Sequence, residues 1–317
     1  MIVSKCPLRI SLVGGSTDLQ EFIDKYGEGR VINFAADIYT YATINEDLFG
    51  LSSVDNKYII NYSTREECDT IQEIKNDIVR ECFSHFNINP NTSSLTADIF
   101  SSGSGLASSS SYLIAFIKAC IHKNRTTLAN EKICQLALML ERKFNPLTGY
   151  QDPYGCGIKG LKKITIKKPS TVSITQLNPA TLNEANMFLC HTGVYRSSTK
   201  LLKKVDIEKC RRLLSLVDEA EKALQENNLS ALIEIINEGW VKKVESCPEI
   251  IKHPRVQELN ATLSESPNIL GHRLCGAGNG GFFLIFTKPS WIPSQNNLEN
   301  HCVKINISHK GAHVKKL

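Results

Sequence analysis

Ser101-Ser102-Gly103-Ser104-Gly105-Leu106-Ala107-Ser108-Ser109-Ser110-Ser111 sets two glycines and seven hydroxyl side chains in eleven positions. Leu113, Phe116, Ile117 and Cys120 follow at offsets that share one helix face, with Ile114 and Ile121 beside them. A small-residue loop running into a helix N-terminus cradles an anion, because free N–H groups and the positive dipole end point the same way. Glycine lets the backbone approach closely, and serine adds donors or a metal-ligating oxygen. No lysine follows the last glycine, so the stretch is not the common P-loop. A Ser-rich cap ahead of an ordinary core helix has the same composition. Three other segments bear on the choice.

The chain has 317 residues, room for one large domain or two ordinary ones, and its 42% apolar and 22% charged residues are the balance of a soluble globular protein. The longest apolar run, Phe282-Phe283-Leu284-Ile285-Phe286, is too short to span a bilayer. The opening Met-Ile-Val-Ser-Lys-Cys-Pro-Leu-Arg has no apolar core of signal-peptide length, so a cytoplasmic location is expected. Eleven scattered cysteines without a C-x-x-C pair predict reduced, mostly buried thiols and no structural zinc. The formal charge is a mild +5. Lys162, Lys163, Lys167 and Lys168 bracket Ile164-Thr165-Ile166, and Lys200, Lys203 and Lys204 form a second cluster. Both read as solvated faces, with attraction of a polyanionic small substrate as the functional alternative. No aromatic-interleaved basic motif appears, so neither nucleic acid nor membrane is an expected partner.

Residues 1–12 read as a strand entering the turn at Gly14-Gly15, and residues 18–26 as a short helix. Short β-type runs fall within 30–66, among them Tyr39–Ile44 and Lys57–Tyr62. A helix fits 70–86, and Asp98-Ile99-Phe100 reads as a strand feeding the Ser/Gly loop. Helices fit 107–122 and 130–143, followed by a strand at Leu161–Lys167. In the second half, helices fit 206–226, 229–245 and 254–265, and strands fit Met187–His191, Phe282–Phe286 and, last, Val303–Ile307. A boundary is expected near residue 170, giving domains 1–170 and 171–317 with no low-complexity linker between them.

The first further segment is Pro7-Leu8-Arg9-Ile10-Ser11-Leu12-Val13-Gly14-Gly15-Ser16-Thr17-Asp18. A strand delivers Arg9 and Asp18 on either side of a glycine turn. A permanently charged Arg can stabilise a transferring phosphoryl group, and Asp18 can accept sugar hydroxyl hydrogens. A surface turn with a structural Arg would look alike. The second segment, Glu141 to Gly155, ends a helix near Asn145-Pro146 and then presents Asp152 from a loop. One carboxylate could hold a metal and the other contact an attacking hydroxyl. The third, Gly276-Ala277-Gly278-Asn279-Gly280-Gly281, matches G-x-G-x-x-G literally but precedes a strand, Phe282–Phe286, rather than a helix. A turn between strands that lets backbone approach a substrate or phosphate therefore fits better than a dinucleotide fingerprint.

In this order the four segments resemble the GHMP small-molecule kinases, over most of the chain. Pro7-x-Arg9 with Gly14-Gly15-x-Thr17-Asp18 is similar to the first motif of the sugar-kinase branch. Ser104–Ser110 is similar to the ATP phosphate loop, Gly149-Tyr150-Gln151-Asp152 to the segment of the catalytic Asp, and Cys275–Phe282 to the third motif. The opening Pro-Leu-Arg-Ile-Ser, the Ser108–Ser111 run and Thr192-Gly193-x-x-Arg196-Ser197 resemble the heptose 7-phosphate branch.

The resemblance implies an α+β protein of the GHMP kinase fold, with an N-terminal domain like the second domain of ribosomal protein S5 and a ferredoxin-like C-terminal domain. It implies ATP and Mg²⁺ as cofactors, and phosphoryl transfer to the anomeric hydroxyl of a heptose 7-phosphate to give the 1,7-bisphosphate. The alternatives are a kinase for another sugar, such as fucose or galactose, and a silent sensor that binds sugar and ATP. By position, Asp152 is the catalytic carboxylate and Arg9 its cationic neighbour. Ser102, Gly103, Ser104, Gly105, Leu106, Ala107, Ser108, Ser109 and Ser110 would hold ATP, with Ser109 and Glu141 on the metal. Gly15, Thr17, Asp18, Arg196 and Gly278 would meet the substrate, and Arg196, Lys200 and Lys203 are candidates for its phosphate. Three departures stand out: Ala107 and Asn279 occupy positions where Gly is usual, and Pro153 one where Gln is common.

Overall fold

A computed structural model describes every residue except 46–55, 100–102, 196–200, 202, 297, 299–300 and 317. Two sheets carry the fold. In the first, β1 (Ile2–Val13) pairs antiparallel with β2 (Glu28–Asn45), an 18-residue strand. The separate β-type runs expected within 30–45 are parts of this one strand. Its length lets it fork. Its first half pairs with β6 (Leu161–Lys167) and its second half with β5 (Thr92–Ala97). β5 continues to β3 (Tyr58–Asn61) and β4 (Arg65–Cys68), and β6 to β7 (Thr171–Gln176).

Helices α1 (Gln20–Tyr26), α2 (Asp77–Phe86), α3 (Ser108–Lys123), α4 (Asn130–Glu141) and α5 (Gln151–Gly157) belong to this half. Leu113, Phe116, Ile117 and Cys120 of α3 are fully buried, as the period required. The strand before the Ser/Gly loop ends at Ala97, so Asp98 and Ile99 lie beyond it; Phe100 lies outside the described residues.

The second sheet runs β11 (Cys302–Ile305), β8 (Asn186–His191), β10 (Phe282–Thr287), β9 (Ile269–Leu274), all antiparallel. β10 is central and buried along its whole length, which explains its unbroken apolar run. Leu284 and Phe286 face the core shared with the first sheet, whereas Phe283 and Ile285 face the other side. Helices α6 (Arg211–Gln225) and α7 (Leu229–Ser246) fill the shared core through Leu213, Leu216, Leu232 and Ile236, beside Leu8, Ile10 and Leu12 of β1. Helix α8 (Pro254–Glu265) packs on the far face through Val256 and Leu263.

The sheets do not divide at residue 170. β7 and a last strand, β12 (His313–Lys316), belong to the first sheet, β12 pairing with β1. No helix among the described residues is long and apolar enough to cross a membrane.

Lys162 corrects the reading of its lysine cluster. It is fully buried, its Nζ donating to Gly160 O at 3.1 Å, and burial pushes its pKa down to about 7. Lys163 pairs with Glu221. The alternation of β6 turns Lys162 inward and Lys163 to the opposite face, because neighbouring residues on a strand point to opposite sides.

Candidate active site

A cleft opens where the Ser/Gly loop, the Gly14–Asp18 turn, α5 and the β9–β10 loop meet. Gly103, Ser104, Gly105, Ala107, Ser108 and Ser109 line one side of it. Gly103 and Gly105 take positive φ, and Ala107 sits in left-handed backbone at φ +60° immediately before α3. Ser104 Oγ and Ser108 Oγ share a 2.9 Å hydrogen bond, which ties the loop to the first turn of the helix. The N–H groups of that turn have no helical partners of their own.

Arg9 and Asp152 meet at the cleft floor. Nε and Nη2 of Arg9 both donate to Asp152 Oδ1, at 3.0 and 2.6 Å, and Nη1 donates to Gly105 O at 2.8 Å. Both contacts fall on Oδ1, so Oδ2 is outside the pair. Arg9 is 4% exposed and the Asp152 side chain 27%, so the carboxylate faces the open space and the guanidinium backs it. Burial alone would lower the Arg9 pKa, but the Asp152 charge outweighs it and the net shift is upward. Asp152 stands in the first turn of α5 rather than on a loop, where the helix dipole favours a negative charge.

Asp18 is buried beside this pair. Its Oδ2 accepts from Gln151 N and its Oδ1 from Gln151 Nε2, each at 3.0 Å. A Cβ on Gly149 would stand 2.1 Å from Asp18 Oδ2, so only glycine allows this approach. Burial and the neighbouring Asp152 charge raise the Asp18 pKa to about 6.

Glu141, the last residue of α4, is 2% exposed and has hydroxyl partners but no cationic partner among the described residues. Ser110 Oγ donates to its Oε2, and Ser109 and Thr148 add hydroxyl contacts. Burial raises its pKa to about 7. A buried carboxylate at a helix C-terminus, without a counter-charge, fits a divalent ion, and Ser109 lines the cleft next to it. No cluster of three His, Cys, Asp or Glu side chains suited to a metal exists among the described residues. An ion held here would take most of its oxygens from phosphates and water, the usual Mg²⁺ arrangement.

The C-terminal half closes the cleft with Gly276, Ala277, Ile250 and Lys243. Lys243 is buried, its Nζ donating to Gly276 O. Gly281, at φ +86°, packs so closely on the phosphate loop that a Cβ would stand 2.4 Å from Ser104 O. The third motif thus holds the second in place.

Residues 72–160 match the model of the GHMP kinases N-terminal domain and residues 220–291 that of the GHMP kinases C-terminal. The chain belongs to the GHMP kinases. It is 26% identical over 313 residues to the D-glycero-alpha-D-manno-heptose 7-phosphate kinase of Campylobacter jejuni subsp. jejuni serotype O:2, covering 91% of this chain and 90% of that one. The bifunctional fucokinase/GDP-fucose pyrophosphorylase of Arabidopsis thaliana is 28% identical over 203 residues, which is 59% of this chain and 19% of that much longer one. Among solved structures, a D-glycero-D-manno-heptose 1-phosphate kinase from Bacteriodes thetaiotaomicron shares the fold at TM-score 0.78 and 20% identity, over 100% and 99% of the two chains.

Several positions inferred from the GHMP motifs serve the fold instead. Thr17 Oγ1 is fully buried among Gly14 O, Arg30 O and Arg30 N at 2.8, 2.7 and 3.1 Å, so it closes the turn and cannot reach a substrate. Gly278 packs on Ile250, where a Cβ would stand 2.3 Å from Cγ2, and it is Gly276 and Ala277 that face the cleft. Leu106 is a core side chain whose carbonyl accepts from Arg9 N. The Ser110 hydroxyl is taken up by Glu141, which removes it from the phosphate side. Lys203 is exposed and does not line the cleft. Ser102, Arg196 and Lys200 lie outside the described residues. Asn279 adopts φ +59° with its Oδ1 accepting from His253 N at 2.8 Å, which explains an Asn in a glycine position.

Lys243 and Arg273 lie outside the motifs, and Ser11 and Gln151 lie within them without having been singled out. Lys243 had a signal. With Ile236, Gly239 and Trp240 it repeats at helical spacing on the buried face of α7. Arg273 had one too, a lone charge inside the strand Ile269–Leu274. Burial and the Arg9 charge push its pKa down to about 10.

Proposed function

We propose that this GHMP kinase is an ATP-dependent sugar kinase that phosphorylates the anomeric hydroxyl of D-glycero-D-manno-heptose 7-phosphate. The observation that carries the kinase reading is the Arg9–Asp152 pair, set at hydrogen-bond distance between a phosphate-type loop and the Asp18 turn. The similarity to the Campylobacter enzyme, which runs along nearly the whole of both chains, supports the substrate.

Phosphoryl transfer asks a protein mainly for positioning and for stabilisation of charge. N–H groups of residues 103–105 and 107–109 and the α3 dipole would hold the ATP phosphates. Asp152 Oδ2 would accept a hydrogen bond from the sugar hydroxyl and take its proton as the new O–P bond forms and the bond to ADP breaks. An anomeric hydroxyl is more acidic than an ordinary alcohol, so a carboxylate suffices as the base. Arg9 holds Asp152 in place and balances the charge that develops between it and the phosphoryl group. Asp18 and Gln151 would orient the sugar ring. Ser109 and Glu141 would hold Mg²⁺, which when bound neutralises charge on the β- and γ-phosphates. Leu19, Val205 and Ile250 supply apolar lining that limits water.

A fucose kinase is the second reading, favoured by the match to the Arabidopsis fucokinase. Retention of Arg9, Ser109, Glu141 and Asp152 argues against a silent sensor. Incubating the purified protein with ATP, Mg²⁺ and a panel of sugars and sugar phosphates, with products resolved by mass, tests the assignment. The expected product is a heptose bisphosphate. Better turnover of fucose or galactose would replace the substrate, and no turnover of any alcohol would overturn the kinase reading.

A further inference from the structure

Five of the seven buried side-chain polar atoms without a hydrogen-bond partner, among the described residues, belong to four side chains at one place: Ser11 Oγ, Asn33 Nδ2 and Oδ1, Gln151 Oε1 and Arg273 Nε. Three of these side chains border Gly15, Ser11 through its unpartnered oxygen and the other two through a nitrogen next to the unpartnered atom. A Cβ there would stand 3.4 Å from Ser11 Oγ, 3.6 Å from Gln151 Nε2 and 3.9 Å from Arg273 Nη2. Asn33 sits behind, opposite Ser11 in the β1–β2 register. Ser11, Gly15 and Gln151 line the cleft, and Arg273 stands behind Gly15 without lining it. Ser11 and Arg273 are 3% and 2% exposed, and Arg273 has a carbonyl, Leu12 O, for its Nη1 but no carboxylate among the described residues. Such a concentration of unpartnered polar groups beside an open cleft marks a place built for a ligand that supplies the missing hydrogen bonds.

We propose that Ser11, Gln151 and Arg273 form a subsite around Gly15 that takes one hydroxyl of the acceptor, next to the hydroxyl that is phosphorylated. The proposal rests on the reading of the acceptor as a sugar. Two arguments favour a hydroxyl over an anion. Gln151 Nε2 donates to Asp18, so its Oε1 is an acceptor that needs a donor, and a phosphate or carboxylate oxygen has none. Asp18 and Asp152 also lie close enough together that the Asp152 charge makes ionisation of Asp18 harder, and a further anion there would add to that repulsion. A hydroxyl satisfies both sides, donating to Gln151 Oε1 and accepting from Ser11 or the Arg273 guanidinium. Its place next to the reacting group follows from the chain. Gln151 immediately precedes Asp152, and Ser11 lies two residues beyond Arg9 on the same strand. Arg273 belongs to β9, so the C-terminal sheet contributes to recognition of the sugar as well as closing the cleft.

The test is a series of single-deoxy analogues of the best sugar acceptor, assayed for kcat/KM with wild type, Ser11→Ala and Arg273→Lys, alongside calorimetric ATP binding. One deoxy position should cost wild type about 10- to 100-fold in kcat/KM, the scale of a hydrogen bond to a charged group. In Ser11→Ala and in Arg273→Lys, that same analogue should cost less than about 3-fold relative to the full sugar, while other positions keep their wild-type penalties and ATP affinity is unchanged. Equal penalties at every position in all three proteins would mean that the recess holds ordered water only, and would overturn the subsite while leaving the sugar kinase standing. If the protein instead turns over a non-sugar alcohol and no sugar, both readings fall together.

Discussion

Lys162→Met should stabilise the protein at neutral pH, by an amount that disappears in base. Lys162 is fully buried, with its Nζ on one carbonyl oxygen and three thiols, those of Cys6, Cys134 and Cys156, as its electrostatic neighbours. Burial lowers its pKa from 10.5 to about 7. The unfolded chain therefore binds a proton that the native state releases between those two values, so native stability rises with pH across that window. Below about pH 7 both states are protonated and the native state carries the full cost of a buried ammonium. A tenfold change in proton affinity is worth about 1.4 kcal/mol, which makes the whole window about 5 kcal/mol as an order of magnitude. Methionine matches the stem and has no charge to desolvate. Urea midpoints of wild type and Lys162→Met, taken at matched pH from 6 to 9.5, isolate this one group because other titrations are common to both proteins. The stability difference should shift in favour of wild type by about 3 kcal/mol between pH 7 and 9.5. A difference independent of pH would refute the reasoning, since it would mean that Lys162 titrates in the native state as it does in the unfolded chain.

Ala107→Gly should raise stability by about 0.5–1 kcal/mol, read by urea denaturation, because left-handed backbone costs alanine about 1–2 kcal/mol and the glycine returns part of that as unfolded-state entropy. A loss of stability would show that the methyl packing at 107 outweighs the strain. Gly281→Ala forces the β9–β10 loop off Ser104 O and should lower kcat/KM for ATP by about 10²-fold with the fold intact by circular dichroism; unchanged ATP kinetics would separate the third motif from the phosphate loop. Glu141→Gln should raise the Mg²⁺ concentration for half-maximal activity without lowering the melting temperature of metal-free protein, since the buried charge it removes has no counter-ion there. An unchanged Mg²⁺ titration would make Glu141 a structural helix end.

The motif order was legible because each segment carries its own local chemistry. The run from Ser101 to Ser111 signals a loop before a helix, and Phe282–Phe286 signals a strand after the glycine turn, whatever the rest of the chain does. β2 was less legible. Its 18 residues read as several short runs because the strand forks between two partners, and pairing is not a local property. The last strand, His313–Lys316, is mostly polar and returns to the first sheet, so nothing in its composition announces a pairing with β1. Arg9, Asp18, Asp152 and Glu141 could be picked out as charged groups in glycine- or helix-end contexts. That Thr17 turns inward to Arg30, or that Ser110 as well as Ser109 turns toward Glu141, depends on side-chain direction within one turn. Arg273 and Ser11 were missed for the opposite reason: they matter through one another, and they are 262 residues apart.

Asp152 is the group that would meet the attacking hydroxyl, and Asp152→Asn tests that role most directly. The Asn side chain keeps a carbonyl oxygen for Arg9 but cannot take a proton at neutral pH. Transfer of γ-labelled phosphate from ATP to heptose 7-phosphate should fall by about 10²-fold or more in kcat, with the ATP dissociation constant within about twofold of wild type. Near-normal turnover by the folded variant would contradict a part for Asp152 in the transfer step.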